Sequence, residues 1–365
     1  MSGLMTFLVQ QSHELGFCAV GVADTSPFTE HAAQALRRIE DGFMADMSWF
    51  NEARVRCGAD PRAVLPNARS IISVVMRYPL SQDCPGLGAR VSRFAWGADY
   101  HVLIKSRIKE LLTGLSRHLG HDVGFYINVD DGPLPDRAAA VRAGVGWPGK
   151  NTNVLVQGVG SWAFLGEAVV DVDLEPSSAS TGTCGACTRC LDACPTGALV
   201  APYMLDSRKC ISYLTVENRE AIPRALRHLV GDRLFGCDAC QEVCPANKGN
   251  TAAYPNDTTD ASRLTAILSM DGAEFRHRFR GTAIWRAKLE GLQRNACVVL
   301  GNLRDEKTVP ALAGAARTGT PLVRMHAAWA LGRIGGRAAR AALERALAVE
   351  TDAVVRAEIE SAITS

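Results

Sequence analysis

Eight cysteines between positions 184 and 244 constrain this chain of 365 residues more than any other feature, since the whole sequence holds only twelve. Four of them form Cys184-x2-Cys187-x2-Cys190-x3-Cys194-Pro195. That run is the bacterial ferredoxin pattern, in which three thiolates hold one [4Fe–4S] cluster and the fourth reaches across to a second. Cys237-x2-Cys240-x3-Cys244-Pro245 repeats the end of the pattern, with Leu234 where its first cysteine belongs, and Cys210 is the one unassigned cysteine of the segment. Crossed ligation then gives Cys184, Cys187, Cys190 and Cys244 to one cluster, and Cys194, Cys210, Cys237 and Cys240 to the other. Four thiolates suit zinc as well, but two interleaved Cys-x3-Cys-Pro endings have no rationale in a pair of zinc sites. Cys18, Cys57, Cys84 and Cys297 are scattered and read as small buried hydrophobes.

A disulfide framework is a poor alternative if the chain resides in a reducing compartment. The sequence points to one. Its first residues lack a basic segment, and Gln10-Gln11-Ser12-His13-Glu14 interrupts the apolar stretch before an export signal forms. Nowhere do about 18 apolar residues run without a charge, so no membrane span is expected. A cytoplasmic protein follows, and a monomer is expected.

With 47% hydrophobic residues, the chain has material for two or three domains. Residues 1–175 read as an α+β domain. Ser70–Met76 and Val123–Val129 are short strands rich in β-branched residues, and His101–Leu119 carries apolar residues at helical spacing. A hairpin is expected between 153–157 and 162–172, turning at Gly158-Val159-Gly160-Ser161. The connector Pro176–Thr183 opens a ferredoxin-like two-cluster domain over 176–255, and Thr251–Asp260 is again polar. Residues 256–365 are all-α and contain a repeat. Arg294–Leu303 aligns with Arg324–Ile334 about thirty positions later, and Val355–Ile359 begins a third unit, the pattern of HEAT-like helical pairs.

Two clusters attached to a large α+β domain imply an electron path to a second redox site within it. Its densest polar segment is Asn128-Val129-Asp130-Asp131-Gly132-Pro133-Leu134-Pro135-Asp136-Arg137, which leads into Gly146-Trp147-Pro148-Gly149-Lys150-Asn151-Thr152-Asn153. A carboxylate at a strand end before a glycine-rich loop is placed to donate a proton, although turns and helix caps use the same residue. Asp130 and Asp131 are adjacent, and like charges so close favour one proton being retained.

At these residues the chain resembles the epoxyqueuosine reductases, cobalamin-dependent iron–sulfur enzymes of tRNA queuosine biosynthesis. The resemblance runs through Glu14-Leu15-Gly16-Phe17, Asp60-Pro61-Arg62, Ala68-Arg69-Ser70-Ile71 and Ser92–His101. It continues through Val129–Arg137, the Gly146–Asn151 loop, both cysteine runs and the helical tail. It implies reduction of epoxyqueuosine to queuosine at the wobble position, with Asp130 as general acid and two [4Fe–4S] clusters passing electrons from an external donor. It also implies a base-off cobalamin held between the N-terminal domain and the second cluster, with Arg93, Asp130, Asn153, Ser212, Cys237 and Asp238 near the corrin. Asp99-Tyr100-His101 begins a cobalamin signature that Ile104 breaks, so no histidine ligand to cobalt is expected. Asp131 and Asp136 depart from the family's pattern, where a small hydroxyl residue and a glutamate stand.

Net charge is only +2, but its distribution is uneven. Between Arg263 and Arg345 fifteen Arg or Lys face six Asp or Glu, including Arg276-His277-Arg278-Phe279-Arg280 near Trp285. Such a face suits the anticodon arm of a tRNA, with phosphate contacts and arginine stacking on unpaired bases. The base to be modified has to leave its stack. Two rival readings remain at this level. A corrinoid reductive dehalogenase shares the cofactor set but has no use for a basic helical tail; an electron carrier fused to a HEAT scaffold needs no corrinoid.

Overall fold

The structure, a computed structural model, describes residues 3–78, 84–249 and 259–364. It divides into two compact units that alternate along the chain. One comprises Met1–Pro79, Ala98–Arg208 and Ala239–Thr251, the other Leu80–Gly97, Lys209–Asp238 and Ala252–Ser365. The cysteine segment 176–255 is thus distributed over both, and the sequence boundary at 255 lies outside the described residues, as does most of the polar stretch Thr251–Asp260.

The first unit is built on a four-stranded antiparallel sheet. Its strands are β1 (Ala19–Asp24), β2 (Ser70–Arg77), β3 (Phe125–Asn128) and β4 (Ala163–Val170), in the order β1-β2-β4-β3. Helices α1 (Gly3–Glu14) and α2 (Tyr100–Leu119) cover one face and α3 (Asp136–Arg142) the other. Helix α2 begins where Asp99 accepts the His101 N–H at 3.0 Å and ends at Gly120, whose φ of 76° stops the right-handed turn. Between these caps Ile104, Ile108, Leu111, Leu112 and Leu115 form one buried stripe.

The expected hairpin between 153–157 and 162–172 does not form. Val154–Leu155 pairs instead with Trp147–Pro148, and the turn is closed only by a bridge between Val156 and Gly160. The reason lies in β4, an almost wholly apolar strand that gains more from a central place between β2 and β3 than from an edge hairpin.

On the α3 face the register sets Gly21, Ser73, Glu167 and Asn128 side by side across all four strands. This row separates two apolar clusters. Ala23, Ile71, Leu134 and Val169 belong to one, and Val75, Ala140, Val145 and Val154 to the other. Gly21 lies in the row because a Cβ there would stand 2.0 Å from the Ala143 carbonyl oxygen of the loop after α3.

In the second unit, Arg90–Val91 pairs in parallel with Arg233–Phe235. The helical repeats follow as α4 (Lys288–Leu303), α5 (Val309–Thr318), α6 (Pro321–Ile334), α7 (Gly336–Val349) and α8 (Ala353–Ile363). Helices α4, α6 and α8 stack in succession, with α5 and α7 packed alongside. Glycines at equivalent positions allow the stack: a Cβ on Gly301 would meet the Trp329 ring at 2.7 Å, and one on Gly332 the Ala362 Cβ at 2.8 Å. Arg294, fully buried in α4, donates to the carbonyl oxygens of Leu214, Asn218 and Glu220, and Asn295 donates to those of Thr215 and Leu234. The repeats are thereby fastened to the chain around Cys210 and Cys237 within this unit. Among the described residues no helix is long and apolar enough to cross a membrane.

Candidate active site

Asp130 follows β3 in the left-handed backbone region, with φ of 55°, a conformation an aspartate tolerates better than most residues. Tyr100, at the start of α2, donates its hydroxyl to the Asp130 carboxylate at 2.7 Å. Asp131 points elsewhere and pairs with the Lys105 ammonium one turn along α2. The loop can turn this sharply because position 132 is glycine: a Cβ there would lie 1.8 Å from Asn128 Oδ1 and 2.4 Å from the Tyr126 hydroxyl. The two adjacent aspartates are thus distinguished by their partners, a phenol for one and a cation for the other.

Beneath this loop Asp136 takes the Asn128 side-chain amide at 2.6 Å and, more weakly, the Asp130 backbone N–H at 3.4 Å. Glu167 of β4 is fully buried and receives the Ser73 hydroxyl at 3.1 Å. Burial, and then the neighbouring Asp136 charge, holds its carboxyl well above the ordinary range. Sequence reasoning missed Glu167 and Tyr100. The available signal for Glu167 was a single acid within an otherwise apolar strand.

The glycine-rich loop forms a compact turn. Gly149 N–H donates to the Asn153 carbonyl at 2.7 Å, and Asn151 Oδ1 accepts the Asn153 N–H at 3.3 Å. Lys150 extends from it to the first cysteine loop, its ammonium donating to the carbonyls of Gly185 at 2.6 Å and Cys187 at 3.0 Å. Asn151 Nδ2 and Trp147 Nε1 are buried donors with no partner among the described residues. Unanswered donors beside Asn153 fit a ligand rich in amide oxygens.

No disulfide links any of the twelve cysteines. Cys184, Cys187, Cys190 and Cys244 all belong to the first unit and lie close enough to act on one another. The Cys190 and Cys244 thiols are both pushed up by burial, with Cys184 raising each further. Cys194 and Cys240 belong to that unit too, whereas Cys210 and Cys237 belong to the second. Among the described residues no three of His, Cys, Asp or Glu converge tightly enough to hold a single ion, so the division of cysteines between two clusters rests on their spacing. Of the scattered cysteines, Cys297 is fully buried and its thiol is pushed up to about 12, Cys18 and Cys84 are half-buried, and Cys57 is exposed. The expectation fails for Cys57 because its helix, Glu52–Ala59, turns Val55 and Gly58 inward.

In the second unit Arg93 and Asp238 form a buried pair, the guanidinium donating at 3.2 Å. Asp238 also takes the Arg93 backbone N–H at 3.0 Å and the Ser92 hydroxyl, fixing the turn that presents Arg93. Ser212 is half-buried in the first turn of the helix Ile211–Val216, just after Cys210. Asp130 and Asn153 lie in the first unit, and Arg93, Ser212, Cys237 and Asp238 in the second.

Three family models match. They are described as epoxyqueuosine reductase QueG, DUF1730 over residues 59–131, a 4Fe-4S double cluster binding domain over 183–247, and HEAT repeats over 286–364. The epoxyqueuosine reductase of Bacillus cereus is 34% identical over 96% of this chain and 94% of its own length. That of Pseudomonas aeruginosa is 41% identical over 88% and 92%. The chain belongs to the epoxyqueuosine reductase family. Among solved structures, an epoxyqueuosine reductase with an epoxyqueuosine-modified tRNA-Tyr stem loop superposes with a TM-score of 0.88 at 32% identity, covering 99% of this chain and 98% of that one. The Streptococcus thermophilus enzyme gives 0.87 at 28% identity, over 100% and 99%. Membership in this family makes the chain an iron–sulfur oxidoreductase of tRNA modification.

Proposed function

We propose that the chain reduces epoxyqueuosine to queuosine at the wobble position of tRNA, with Asp130 as the proton donor. The observation that carries this reading is the Tyr100 hydroxyl on the Asp130 carboxylate at 2.7 Å, beside an Asp131 neutralised by Lys105. Deoxygenation takes up two electrons and two protons, breaks both epoxide C–O bonds, forms a C=C bond and releases water. A proton donor at the departing oxygen is therefore obligatory, and a carboxyl held by a phenol can deliver one and be reset.

Electrons would come from an external donor through two [4Fe–4S] clusters, one on Cys184, Cys187, Cys190 and Cys244, the other on Cys194, Cys210, Cys237 and Cys240. Cobalamin, bound base-off, would supply the two-electron reduction at carbon. Arg93, Asp130, Asn153, Ser212, Cys237 and Asp238 are its proposed contacts, and the unanswered donors of Asn151 and Trp147 support a fit. No histidine is assigned to cobalt: the His101 ring is held by Asp99 at 2.6 Å.

For the RNA, the exposed His277 and Arg278 line an open groove of about 300 Å³ that also meets Leu87 and Phe279, and Arg276 and Arg280 are exposed on the same segment. Trp285 is engaged instead, stacked on Phe275 at 5.2 Å beneath Lys288. The test is anaerobic reconstitution with iron, sulfide and cobalamin, followed by nucleoside analysis of epoxyqueuosine-containing tRNA. About eight irons and one cobalt per chain with conversion to queuosine are expected. Asp130→Asn should abolish conversion and Asp131→Asn should retain most of it; full activity in Asp130→Asn overturns the acid assignment.

A further inference from the structure

We propose that Glu167 is a positioning residue for Asp130, acting through Asp136. The inference rests on the reading of Asp130 as the acid. Two carboxyl groups facing each other in a buried site attract only if a proton lies between them. Asn128 stands opposite Glu167 in the ladder and donates its amide to Asp136 at 2.6 Å, which brings the two acids together, and Glu167 Oε2 has no other partner among the described residues. Glu167 is 0% exposed, and burial also pushes the Asp136 carboxyl above its ordinary range, so both carboxyls of the pair are enclosed.

The groups around the pair say which member carries the proton. From β2, the Ser73 hydroxyl reaches Glu167 Oε1, and from β3, the Asn128 amide reaches Asp136 Oδ1. β1 contributes Gly21 to the same row and no charge. Among the described residues the leading charge effects on the pair are their own and that of Asp130. Asp136 thus faces two donors, the Asn128 amide and the Asp130 backbone N–H, against one on Glu167, the Ser73 hydroxyl, and is the natural acceptor. Glu167 is the natural proton carrier.

A carboxylate fixed in this way forms a rigid floor under residue 130. The left-handed backbone at Asp130 persists only if its surroundings hold it there. Glu167 supplies the donor that no solvent molecule can replace at a position buried beneath the sheet face. Its O–H orients Asp136, and Asp136 holds the Asp130 N–H and so the carboxylate that meets Tyr100.

The experiment uses the reconstituted chain and two readouts. Difference infrared spectroscopy at neutral pH compares the parent with Glu167→Gln, and kinetics on an epoxyqueuosine-modified stem loop compare the parent with Glu167→Gln and Glu167→Leu. A protonated-carboxyl band should be present in the parent and in Asp130→Asn, and lost in Glu167→Gln. Gln donates the same hydrogen bond, so it should keep kcat within about threefold, whereas Leu should lower kcat about tenfold or more with KM little changed. A band unaffected by Glu167→Gln, or parental kcat in Glu167→Leu, overturns the proposal. If the Leu variant does not fold, the band and the kcat of the Gln variant decide alone, a loss of more than tenfold in Gln then counting against it. Full activity in Asp130→Asn with the band retained would instead remove the acid assignment.

Discussion

A buried glutamate in the middle of a sheet sets a stability cost that changes with pH. The folded chain keeps the Glu167 proton well above its ordinary value of 4.5, so between 4.5 and the raised folded value the native state binds a proton that the unfolded state releases. Stability is then fully present below 4.5 and falls as pH rises through that window. Glu167→Gln removes the term. Its apparent Tm should exceed the parent's by a margin that widens from pH 4.5 upward; parallel pH profiles would contradict this. Lys150 makes a second residue-scale prediction. Because its ammonium holds the carbonyls of Gly185 and Cys187, Lys150→Met should loosen the Cys184–Cys187 turn and lower the iron retained per chain after gel filtration. Neither residue announced its role in the sequence. Lys150 was visible only as part of a glycine-rich loop, and Glu167 looked like an interruption, because the partners of both arrive from distant segments.

At the scale of elements, period and caps were legible. Helix α2 follows from its apolar spacing, and the repeats α4, α6 and α8 follow from their small residues. The hairpin failed because local turn chemistry at Gly158 and Gly160 says nothing about which ladder an apolar strand will join. The repeats also hold a charge that composition misreads. Arg294 is counted in the basic tail, yet it is buried on three backbone carbonyls. Arg294→Met removes the guanidinium from the Leu214 and Asn218 oxygens, while the Asn218 amide still reaches that of Glu220 at 3.1 Å; each buried oxygen left unpaired costs about 1–3 kcal/mol. The expected destabilisation is at least about 2 kcal/mol in denaturant titration, with the greatest loss of protection around Leu214–Glu220 in hydrogen exchange.

Across the whole molecule the uneven charge narrows to fewer residues than the sequence count gave. Arg286 pairs with Glu217 and Arg324 with Glu350 at partly buried sites, while Arg278 makes an exposed contact with Glu274 at 3.4 Å and Arg276 and Arg280 stay exposed. Replacing Arg276, Arg278 and Arg280 together by Gln should weaken stem-loop binding alike for different loop sequences. It should also flatten the plot of log affinity against log salt by about 2, near 0.7 for each lost phosphate contact on single-stranded RNA. An unchanged slope would place the RNA elsewhere. The family and its double-cluster domain were readable from motifs because cysteine spacing is local. The partition into units was not, because it depends on which distant segments pack together.

That partition bears on how the chain comes into being. The first unit is completed by Ala239–Thr251, a segment that carries Cys244, so during synthesis the three thiols at 184, 187 and 190 emerge from the ribosome long before their proposed fourth partner. Iron delivered early would meet an incomplete set, and the nascent chain has good reason to stay unmetallated until residue 251 has been made. A fragment ending at 208 would, for the same reason, lack the last piece of its own unit whatever the quality of its sheet.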